Sequence, residues 1–238
     1  MKEDYYNKPF FKVNNVSFSY NNSKYILNNV NASFKKAEFT AIVGPNGSGK
    51  TTFGKLLCGI LSPNKGDILI ENNDLSNISL GKLGQKVGYL FQEPERQLFN
   101  PTVFKEIGFA HSFMENSEDK IEKEVEKLIN DFSLDGLKDS SPYKISRGER
   151  QRVALASIFI NKPSFLILDE PTTGLDLVRK EKLVELLKDL LKKGIGMIVI
   201  SHDNLFIESI ADRVLEISGG DIYELWSPYK IGYCVLLI

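Results

Sequence analysis

The 238-residue chain is long enough to form one large domain or two small ones around a sizeable core. Its formal net charge of −1 argues against a surface that binds nucleic acid along the whole molecule. Cys58 and Cys234 lie far apart without C-x-x-C spacing, which argues against a disulfide framework or a zinc site and fits a reducing cytosol. The N-terminal stretch MKEDYYNKPFFKV has no uninterrupted apolar core, so no secretory signal is predicted. No apolar run approaches about 20 residues, so no membrane span is predicted either.

The N-terminal segment, residues 10–44, alternates apolar with polar residues and ends in an apolar run. The turn formers Asn21, Asn22 and Ser23 interrupt this pattern, which predicts antiparallel strands that lead into a buried strand at 38–43. A glycine-rich turn then opens a helix. That helix is predicted at 50–61, with short strands at 66–71 and 87–91.

Between about 101 and 160 the pattern becomes helical, because apolar residues recur at helical spacing with charged residues between them. These residues are Ile121, Val125, Leu128, Ile129 and Phe132. Beyond 160, apolar strands alternate with amphipathic helices, which predicts a largely parallel sheet covered on both faces. The strands are predicted at 165–170, 194–202 and 212–218, with a helix near 178–192 and a short helix before the last strand.

The predicted organisation is therefore a single α/β domain over residues 1–238. An α/β core with an antiparallel β region would comprise 1–91 and 161–225. A helical subdomain would be inserted at about 92–160, and a short apolar tail would follow at 226–238.

The strongest local motif follows the strand predicted at 38–43: GPNGSGKTT matches the pattern G-x-x-x-x-G-K-[ST]. Small residues let the backbone wrap around phosphate oxygens, with N–H groups and a helix N-terminus directed at the anion. Lys50 supplies a positive charge for the β- and γ-phosphates, and the Thr51 hydroxyl is suited to Mg²⁺. The predicted phosphate loop comprises Gly44, Pro45, Asn46, Gly47, Ser48, Gly49, Lys50, Thr51 and Thr52.

Two further strands end in polar residues at the same predicted edge of the sheet. SFLILDE, residues 164–170, places Asp169 where it can hold Mg²⁺ and Glu170 where it can orient or deprotonate a water. Alone this signal is weak, because many strands end in acids that cap the next helix. VISHD delivers His202 to this edge and the strand at 87–91 leads to Gln92, although each of these residues in isolation is ambiguous.

In their order along the chain, these motifs resemble the ATPase subunit of ABC transporters over essentially the whole length. The order is the loop at 44–52, Gln92, ISRGERQ at 145–151, FLILDE at 165–170, GLD at 174–176 and His202. The resemblance implies a P-loop NTPase core that uses ATP and Mg²⁺. It also implies that two such domains sandwich two ATP molecules head to tail, with the 145–149 loop of one closing on the phosphate loop of the other.

The resemblance assigns roles to single residues as well. Glu170 would be the catalytic base, His202 would contact the γ-phosphate, and Gln92 would sense Mg²⁺ and the attacking water. Tyr20 would stack on the adenine, with an ordinary strand aromatic as the alternative. Asp176 would couple the two sites across the dimer.

The contact loop departs from the family's usual Leu-Ser-Gly-Gly-Gln, since here it reads Ile145-Ser146-Arg147-Gly148-Glu149. Ser146 keeps the hydroxyl, and Gly148 keeps the small residue nearest the phosphates. If position 147 required a positive φ, Arg147 would cost roughly 1–2 kcal/mol. It could instead donate charge-assisted hydrogen bonds to a triphosphate, or simply face solvent or pair with Glu149. We expect ATP hydrolysis to persist.

A narrower resemblance lies in YLFQEPERQLFNPTVFKEIGFA, residues 89–110, which is similar to the energy-coupling-factor branch for cobalt and vitamin uptake. The alternative is ordinary packing within the helical region. The branch implies a second ATPase subunit (homodimer or heterodimer), a transmembrane coupling subunit and a substrate-binding membrane protein. It also implies a peripheral position on the cytoplasmic face of the cell membrane.

The implied function is ATP-powered substrate import. A different class is a soluble ABC ATPase that acts on nucleic acid or ribosomes, which the net charge does not favour, so no nucleic-acid partner is expected. A P-loop kinase or GTPase would leave the residues at 145–151 and His202 unexplained. The short apolar tail at 226–238 could pack on the core, bind a partner or reflect a truncated chain.

Overall fold

The computed structural model describes residues 8–22, 24–113 and 118–225. The strands in this part of the chain are β1 (Pro9–Phe18), β2 (Leu27–Lys35), β3 (Phe39–Val43), β4 (Lys65–Ile70), β5 (Asn73–Asp74), β6 (Val87–Leu90), β7 (Phe165–Asp169), β8 (Gly196–Ile200), β9 (Arg213–Ser218) and β10 (Asp221–Leu225). The α-helices are α1 (Lys50–Leu57), α2 (Leu80–Lys86), α3 (Val103–Gly108), α4 (Glu118–Asp131), α5 (Arg147–Phe159), α6 (Leu177–Lys192) and α7 (Asn204–Ile210).

The strands form two sheets. One is antiparallel, with the order β2-β1-β4-β5, and the other has the order β10-β9-β3-β8-β7-β6. In the six-stranded sheet β9, β3, β8, β7 and β6 are parallel, whereas β10 pairs antiparallel with β9. Because parallel strands share one carboxyl edge, the residues that follow β3, β6, β7 and β8 all emerge on the same side of the molecule.

The two faces of the six-stranded sheet belong to different parts of the core. Along β7, Leu166 and Leu168 pack with the helices α3–α7, whereas Phe165 and Ile167 pack with α1 and the antiparallel sheet. Every residue of β7 and β8 is buried. This double coverage explains why these strands read as continuous apolar runs in the sequence. The predicted parallel sheet, antiparallel β region and set of inserted helices are therefore all present.

Two elements differ from the prediction. Helix α2 was not predicted, because Gly81 and Gly84 lower the helix propensity of its seven residues; Ser79 caps its N-terminus by accepting a hydrogen bond from Lys82 N. Strand β10 was not predicted either. It is set by Gly219 and Gly220, whose φ values of 63° and 95° suit a two-residue hairpin turn of type I′.

Other boundaries lie close to the prediction. The helix predicted at 50–61 already ends at Leu57, because Gly59 with φ 67° turns the chain out of the helix. The predicted division at about 92 and 160 stays an interpretation, and α3, α4 and α5 all lie within that segment. Ser23, Cys234 and the tail at 226–238 lie outside the described residues, and across the described ranges each helix is too short or too polar to cross a membrane.

Candidate active site

The loop of residues 44–52 connects β3 to α1 at the carboxyl edge of the parallel sheet. Its glycines Gly44, Gly47 and Gly49 take φ values of 139°, 77° and 107°. A Cβ on Gly44 would lie 2.2 Å from the carbonyl oxygen of Ile217, so this close approach requires glycine. Gly49 is the N-cap of α1 and offers no side-chain cap. The N–H groups of the first turn are therefore available to an anion.

Lys50 lies folded over this loop. Its Nζ donates hydrogen bonds to the carbonyl oxygens of Gly44 at 2.8 Å and Pro45 at 2.9 Å. Burial lowers the pKa of Lys50, while the carboxylates of Glu170 and Asp169 oppose that shift. The ammonium group is thus held between the loop and two acidic side chains.

Asp169 is the last residue of β7 and is only 2 % exposed. Its Oδ2 accepts a hydrogen bond from the Tyr89 hydroxyl at 3.3 Å, and the Thr51 hydroxyl also donates to this carboxylate. Burial raises the pKa of Asp169, whereas these two hydrogen bonds lower it. Its Oδ1 is buried without a hydrogen-bond partner. A carboxylate oxygen left open beside a hydroxyl fits the oxygen ligands that Mg²⁺ prefers.

Glu170 is fixed at both its backbone and its side chain. Its N–H donates to the carbonyl oxygen of Ile200 at 2.8 Å, although its φ is 53°. Its Oε1 lies 2.9 Å from Nδ1 of His202, whose side chain is 80 % exposed at the rim. Its Oε2 is buried without a hydrogen-bond partner. One carboxylate oxygen is therefore held, and the other can accept a proton.

These groups line one cleft of about 350 Å³. Gln92, which is exposed and follows β6, lies in the same wall. The predicted site residues that line it are Asn46, Gly47, Gly49, Lys50, Thr51, Thr52, Gln92, Asp169 and Glu170. The structure thus brings together polar residues from three separate strand ends.

Tyr20 lies at the border of this cleft. Its hydroxyl is 3.3 Å from the Thr52 hydroxyl, and its ring meets Phe18 edge to face at 4.9 Å. The residue is 43 % exposed. Tyr20 therefore packs against the end of β1 and also leaves part of its surface open to solvent beside the phosphate loop.

The contact loop at 145–149 leads into helix α5, whose N-cap is Ser146. Ser146 and Glu149 form a capping box: Glu149 N donates to Ser146 Oγ at 3.4 Å, and Ser146 N donates to Glu149 Oε2 at 2.8 Å. Arg147 is the first helical residue, so position 147 does not require a positive φ and the associated strain does not arise. Its exposed side chain instead crosses Gly174, where a Cβ would lie 3.2 Å from Arg147 Cδ.

The contact loop does not line the cleft that holds the phosphate loop. Ser146 and Glu149 line a different depression together with Pro101, Asp139 and Lys144. The residues that could bind nucleotide are therefore divided between two surfaces of one chain.

Two polar residues that the sequence did not single out contact the acidic segment at 169–171. Gln151 is buried in α5 and donates a hydrogen bond to the carbonyl oxygen of Pro171, next to Glu170. Tyr89 contacts Asp169, as described above. The helical spacing could have predicted that Gln151 is buried, because it lies one helical turn from the apolar residue Leu155, which is buried.

Asp176, another predicted site residue, caps α6 by accepting a hydrogen bond from Arg179 N at 2.9 Å.

The ABC transporter family model matches residues 27–173, which is more than half of the chain. The chain belongs to the ABC transporter ATP-binding family. The resemblance read from the ordered motifs is thereby confirmed, and so is the identification as an ABC ATPase.

Individual relatives agree with this family. A putative ABC transporter ATP-binding protein of Pyrococcus abyssi is 40% identical over 207 residues, which cover 87% of this chain and 79% of that protein. The energy-coupling factor transporter ATP-binding protein EcfA of Methanothermobacter thermautotrophicus is 35% identical over 222 residues, which cover 92% and 71%. The narrower resemblance of residues 89–110 to the energy-coupling-factor branch is thus confirmed.

Solved structures of ABC ATPases share the fold. The structure of cbiO1 from Clostridium perfringens, part of the ABC transporter complex cbiONQ, matches with a TM-score of 0.84 and 32% identity, covering 95% of this chain and 91% of that one. An ATP-binding cassette solved as a dimer in a post-hydrolysis state with ADP and Pi matches with a TM-score of 0.81 and 27% identity, covering 91% and 99%. The predicted fold class is confirmed.

Proposed function

We propose that this chain is the ATP-hydrolysing subunit of an energy-coupling-factor type transporter and powers substrate import. The observation that carries the proposal is the single cleft that gathers Lys50, Thr51, Gln92, Asp169 and Glu170 at the carboxyl edge of the parallel sheet. The relatives named EcfA and cbiO1 support transport over an action on nucleic acid.

The phosphate loop would bind the triphosphate of ATP. Its backbone N–H groups and the start of α1 face the anion, and the Lys50 ammonium would move from the carbonyl oxygens of Gly44 and Pro45 to the β- and γ-phosphates. Thr51 and Asp169 would hold Mg²⁺. When bound, that ion neutralises negative charge on the phosphate oxygens.

Glu170 would act as the general base. A water attacks the γ-phosphorus, its proton passes to Oε2 of Glu170, and the bond to the bridging oxygen of ADP breaks. His202 holds the other carboxylate oxygen and reaches the rim of the cleft, where it would contact the γ-phosphate. Gln92 would orient the water, and Tyr20 would stack on the adenine.

A second ATPase subunit would complete each site. Ser146, Arg147 and Gly148 would contact the ATP that is bound to the phosphate loop of the partner subunit, which is consistent with their location outside this chain's own cleft. Asp176, in the segment that Gln151 connects to α5, would transmit closure between the two sites. The partner would be a second copy or a different ATPase.

The segment at 89–110 supports a membrane partner because internal contacts shape its loop while the large aromatic side chain of Phe99, which meets Phe109 edge to face at 4.6 Å, stays mostly exposed. Gln97 accepts a hydrogen bond from Phe91 N, and Glu106 accepts from Phe99 N and Asn100 N. These contacts shape the loop that follows Gln92. Phe99 itself is 59 % exposed.

Tyr143, which is 58 % exposed, lies beside this segment and donates a hydrogen bond to the carbonyl oxygen of Leu98. The surface formed by Phe99 and Tyr143 would contact the transmembrane coupling subunit. The substrate-binding membrane protein would contact that subunit in turn. The chain would then lie peripherally on the cytoplasmic face of the cell membrane.

The proposal is tested by purifying the tagged chain from solubilised membranes. We expect it to elute with integral membrane proteins and with ATPase activity, and Phe99→Glu to abolish that co-elution. The matched control is Leu80→Glu, which places the same charge at an exposed leucine of α2. Recovery of the chain only with ribosomes or DNA would contradict the proposal.

A further inference from the structure

The backbone at Glu170 is strained, because its φ is 53° and a proline follows it. The left-handed region is costly for a residue with a β-carbon, and a following proline favours extended backbone instead. Such a conformation persists only where the surrounding contacts determine it. The Glu170 N–H donates to the carbonyl oxygen of Ile200 at 2.8 Å, and its carbonyl oxygen accepts from Thr173 N at 3.2 Å within the same turn. The position of Glu170 therefore also depends on what holds the chain that follows it.

Helix α5 supplies the contact that lies nearest to Glu170 on this side. Nε2 of Gln151 donates a hydrogen bond to the carbonyl oxygen of Pro171. Because proline has no N–H, this carbonyl is the only hydrogen-bonding group of Pro171. Both residues are buried, and Gln151 is only 5 % exposed. The next residue, Thr172, is held by a different partner, since its hydroxyl donates to Asp203.

The start of α5 and the segment at 171–175 also pack together at two further points. A Cβ on Gly148 would lie 3.5 Å from Cδ2 of Leu175, which is ordinary van der Waals contact. A Cβ on Gly174 would lie 3.2 Å from Cδ of Arg147. Both helical residues belong to the contact loop. The hydrogen bond of Gln151 therefore adds a directional contact to an interface that the contact loop already makes with this segment.

We propose that Gln151 is a positioning residue, whose hydrogen bond to Pro171 holds Glu170 where Oε2 can accept the proton of the attacking water. Because Gln151 lies in the helix that follows the contact loop, it also fixes the position of Glu170 relative to that loop. The proposal deepens the proposed function and rests on it, since it takes Glu170 as the general base.

Gln151→Met keeps the length of the side chain but removes the amide donor. We expect kcat of the ATPase in the assembled complex to fall roughly 10- to 10²-fold, because a displacement of about 1 Å from the productive geometry can cost about 10²-fold in rate. KM for ATP and ATP binding by the isolated chain should stay unchanged, because Gln151 does not line the cleft that holds the phosphate loop. Steady-state kinetics and nucleotide binding measure these quantities.

A double-mutant cycle distinguishes positioning from a general loss of structure. In a Glu170→Gln background, Gln151→Met should cause no further loss in single-turnover assays, because a positioning residue acts only through the base that it positions. A merely structural role would lower the rate by the same factor in both backgrounds. The matched control is Leu155→Met, which introduces the same side chain one turn further along the buried face of α5 and removes no hydrogen bond. It should leave kcat near the wild-type value.

Thermal denaturation shows whether each variant is folded. If Gln151→Met does not fold, Gln151→Asn replaces it, because it keeps an amide but shortens its reach by one methylene group, and we expect the same loss of kcat with unchanged KM. A wild-type kcat in the folded variant, or equal losses in both backgrounds, would overturn the proposal. Wild-type turnover in Glu170→Gln alone would instead overturn the assignment of the base, and with it the proposed mechanism.

Discussion

Glu170 combines a backbone that is unusual for a residue with a β-carbon and a side chain that is held at one oxygen. Its φ of 53° is set by the hydrogen bond to Ile200 at the end of β8. His202 occupies Oε1 at 2.9 Å, while Oε2 is buried without a partner. The buried oxygen is thus the one suited to accept a proton from water.

Glu170→Gln keeps the shape of this side chain but removes its basicity. We expect ATP binding to persist and hydrolysis in the assembled complex to fall by about 10²–10⁴-fold, because a general base contributes rate in that range. Steady-state ATPase assays and nucleotide binding measure the two effects. Glu181→Gln on the exposed surface of α6 serves as the control. Wild-type turnover in Glu170→Gln would exclude Glu170 as the base.

Any effect of Arg147 on the nucleotide site depends on its charge, because its backbone has ordinary helical geometry. Its side chain crosses Gly174 and remains exposed. In the proposed dimer it would be able to reach the nucleotide bound by the partner subunit. Arg147→Gln removes the charge while keeping good helix propensity. We expect a several-fold change in the ATPase rate or in KM of the complex, without loss of hydrolysis. An unchanged rate and affinity would show that Arg147 only faces solvent. The variant Arg147→Gly restores the glycine that is usual in the family and shows whether that residue gives a different ATPase rate.

The sequence predicted the strand-end residues of the site well, because each follows an apolar run that could only be a buried strand. Asp169, Glu170 and Gln92 accordingly line one cleft with the phosphate loop. Tyr89 and Gln151 escaped prediction. Their roles depend on tertiary contacts with another strand or loop, and these contacts cannot be predicted from one sequence alone.

At the scale of elements, short segments were the ones that propensity failed to predict. Helix α2 contains two glycines, and β10 consists of five mostly exposed residues after a Gly-Gly turn. Both are held by tertiary contacts: Leu83 of α2 is buried in the core, and β10 pairs along its whole length with β9. Long elements such as α6 were predicted within a residue, because their amphipathic period is repeated several times.

Asp203 joins two elements beside the site. It caps α7 by accepting a hydrogen bond from Phe206 N, and its Oδ2 pairs with Lys180 of α6. Burial raises the pKa of Asp203, but the hydrogen bonds and charge of Lys180, the Phe206 N–H and the Thr172 hydroxyl outweigh it, so the pKa is lowered. The ionised carboxylate therefore stabilises the folded state.

Because the folded pKa of Asp203 is lowered, its contribution is present above the unfolded value of about 3.9 and is lost as the pH falls through the folded pKa. Asp203→Asn keeps the helix cap and removes the ion pair, so we expect a loss of about 1 kcal/mol at pH 7. This loss should shrink as the pH falls below about 4. Asp203→Ala should cost about 1 kcal/mol more, through the cap.

Chemical denaturation at several pH values measures these free energies of unfolding. A loss for Asp203→Asn that is the same at pH 7 and at acidic pH would show that the ion pair does not contribute.

At the scale of the whole molecule, the decisive arrangement is the separation of the phosphate cleft from the contact loop. Both belong to one chain, yet Ser146 and Glu149 line a depression that Pro101 and Lys144 share. The resemblance to ABC ATPases already implied that the contact loop of one domain closes on the phosphate loop of another, but residue order alone gave no position for either surface. The fold places the two sets of residues on different surfaces of one chain, as the proposed shared site requires.

Ser146→Asp tests whether the contact loop acts on the partner subunit's nucleotide. Asp is as good an N-cap as Ser, so α5 should remain capped while a negative charge faces the triphosphate. We expect ATP binding by the isolated chain to be unchanged. We also expect the ATPase rate of the assembled complex to fall at least roughly tenfold, which corresponds to about 1.4 kcal/mol in the barrier.

The matched control is Ser79→Asp, which makes the same change at the N-cap of α2 and should alter neither quantity. Lys50→Ala provides the opposite pattern, because Lys50 lines the chain's own cleft and its loss should weaken ATP binding even in the isolated chain. If Ser146→Asp weakened binding in the isolated chain as strongly as Lys50→Ala, the contact loop would act within its own chain. The two half-sites would then belong to one nucleotide, and a second ATPase would not be required to complete the site.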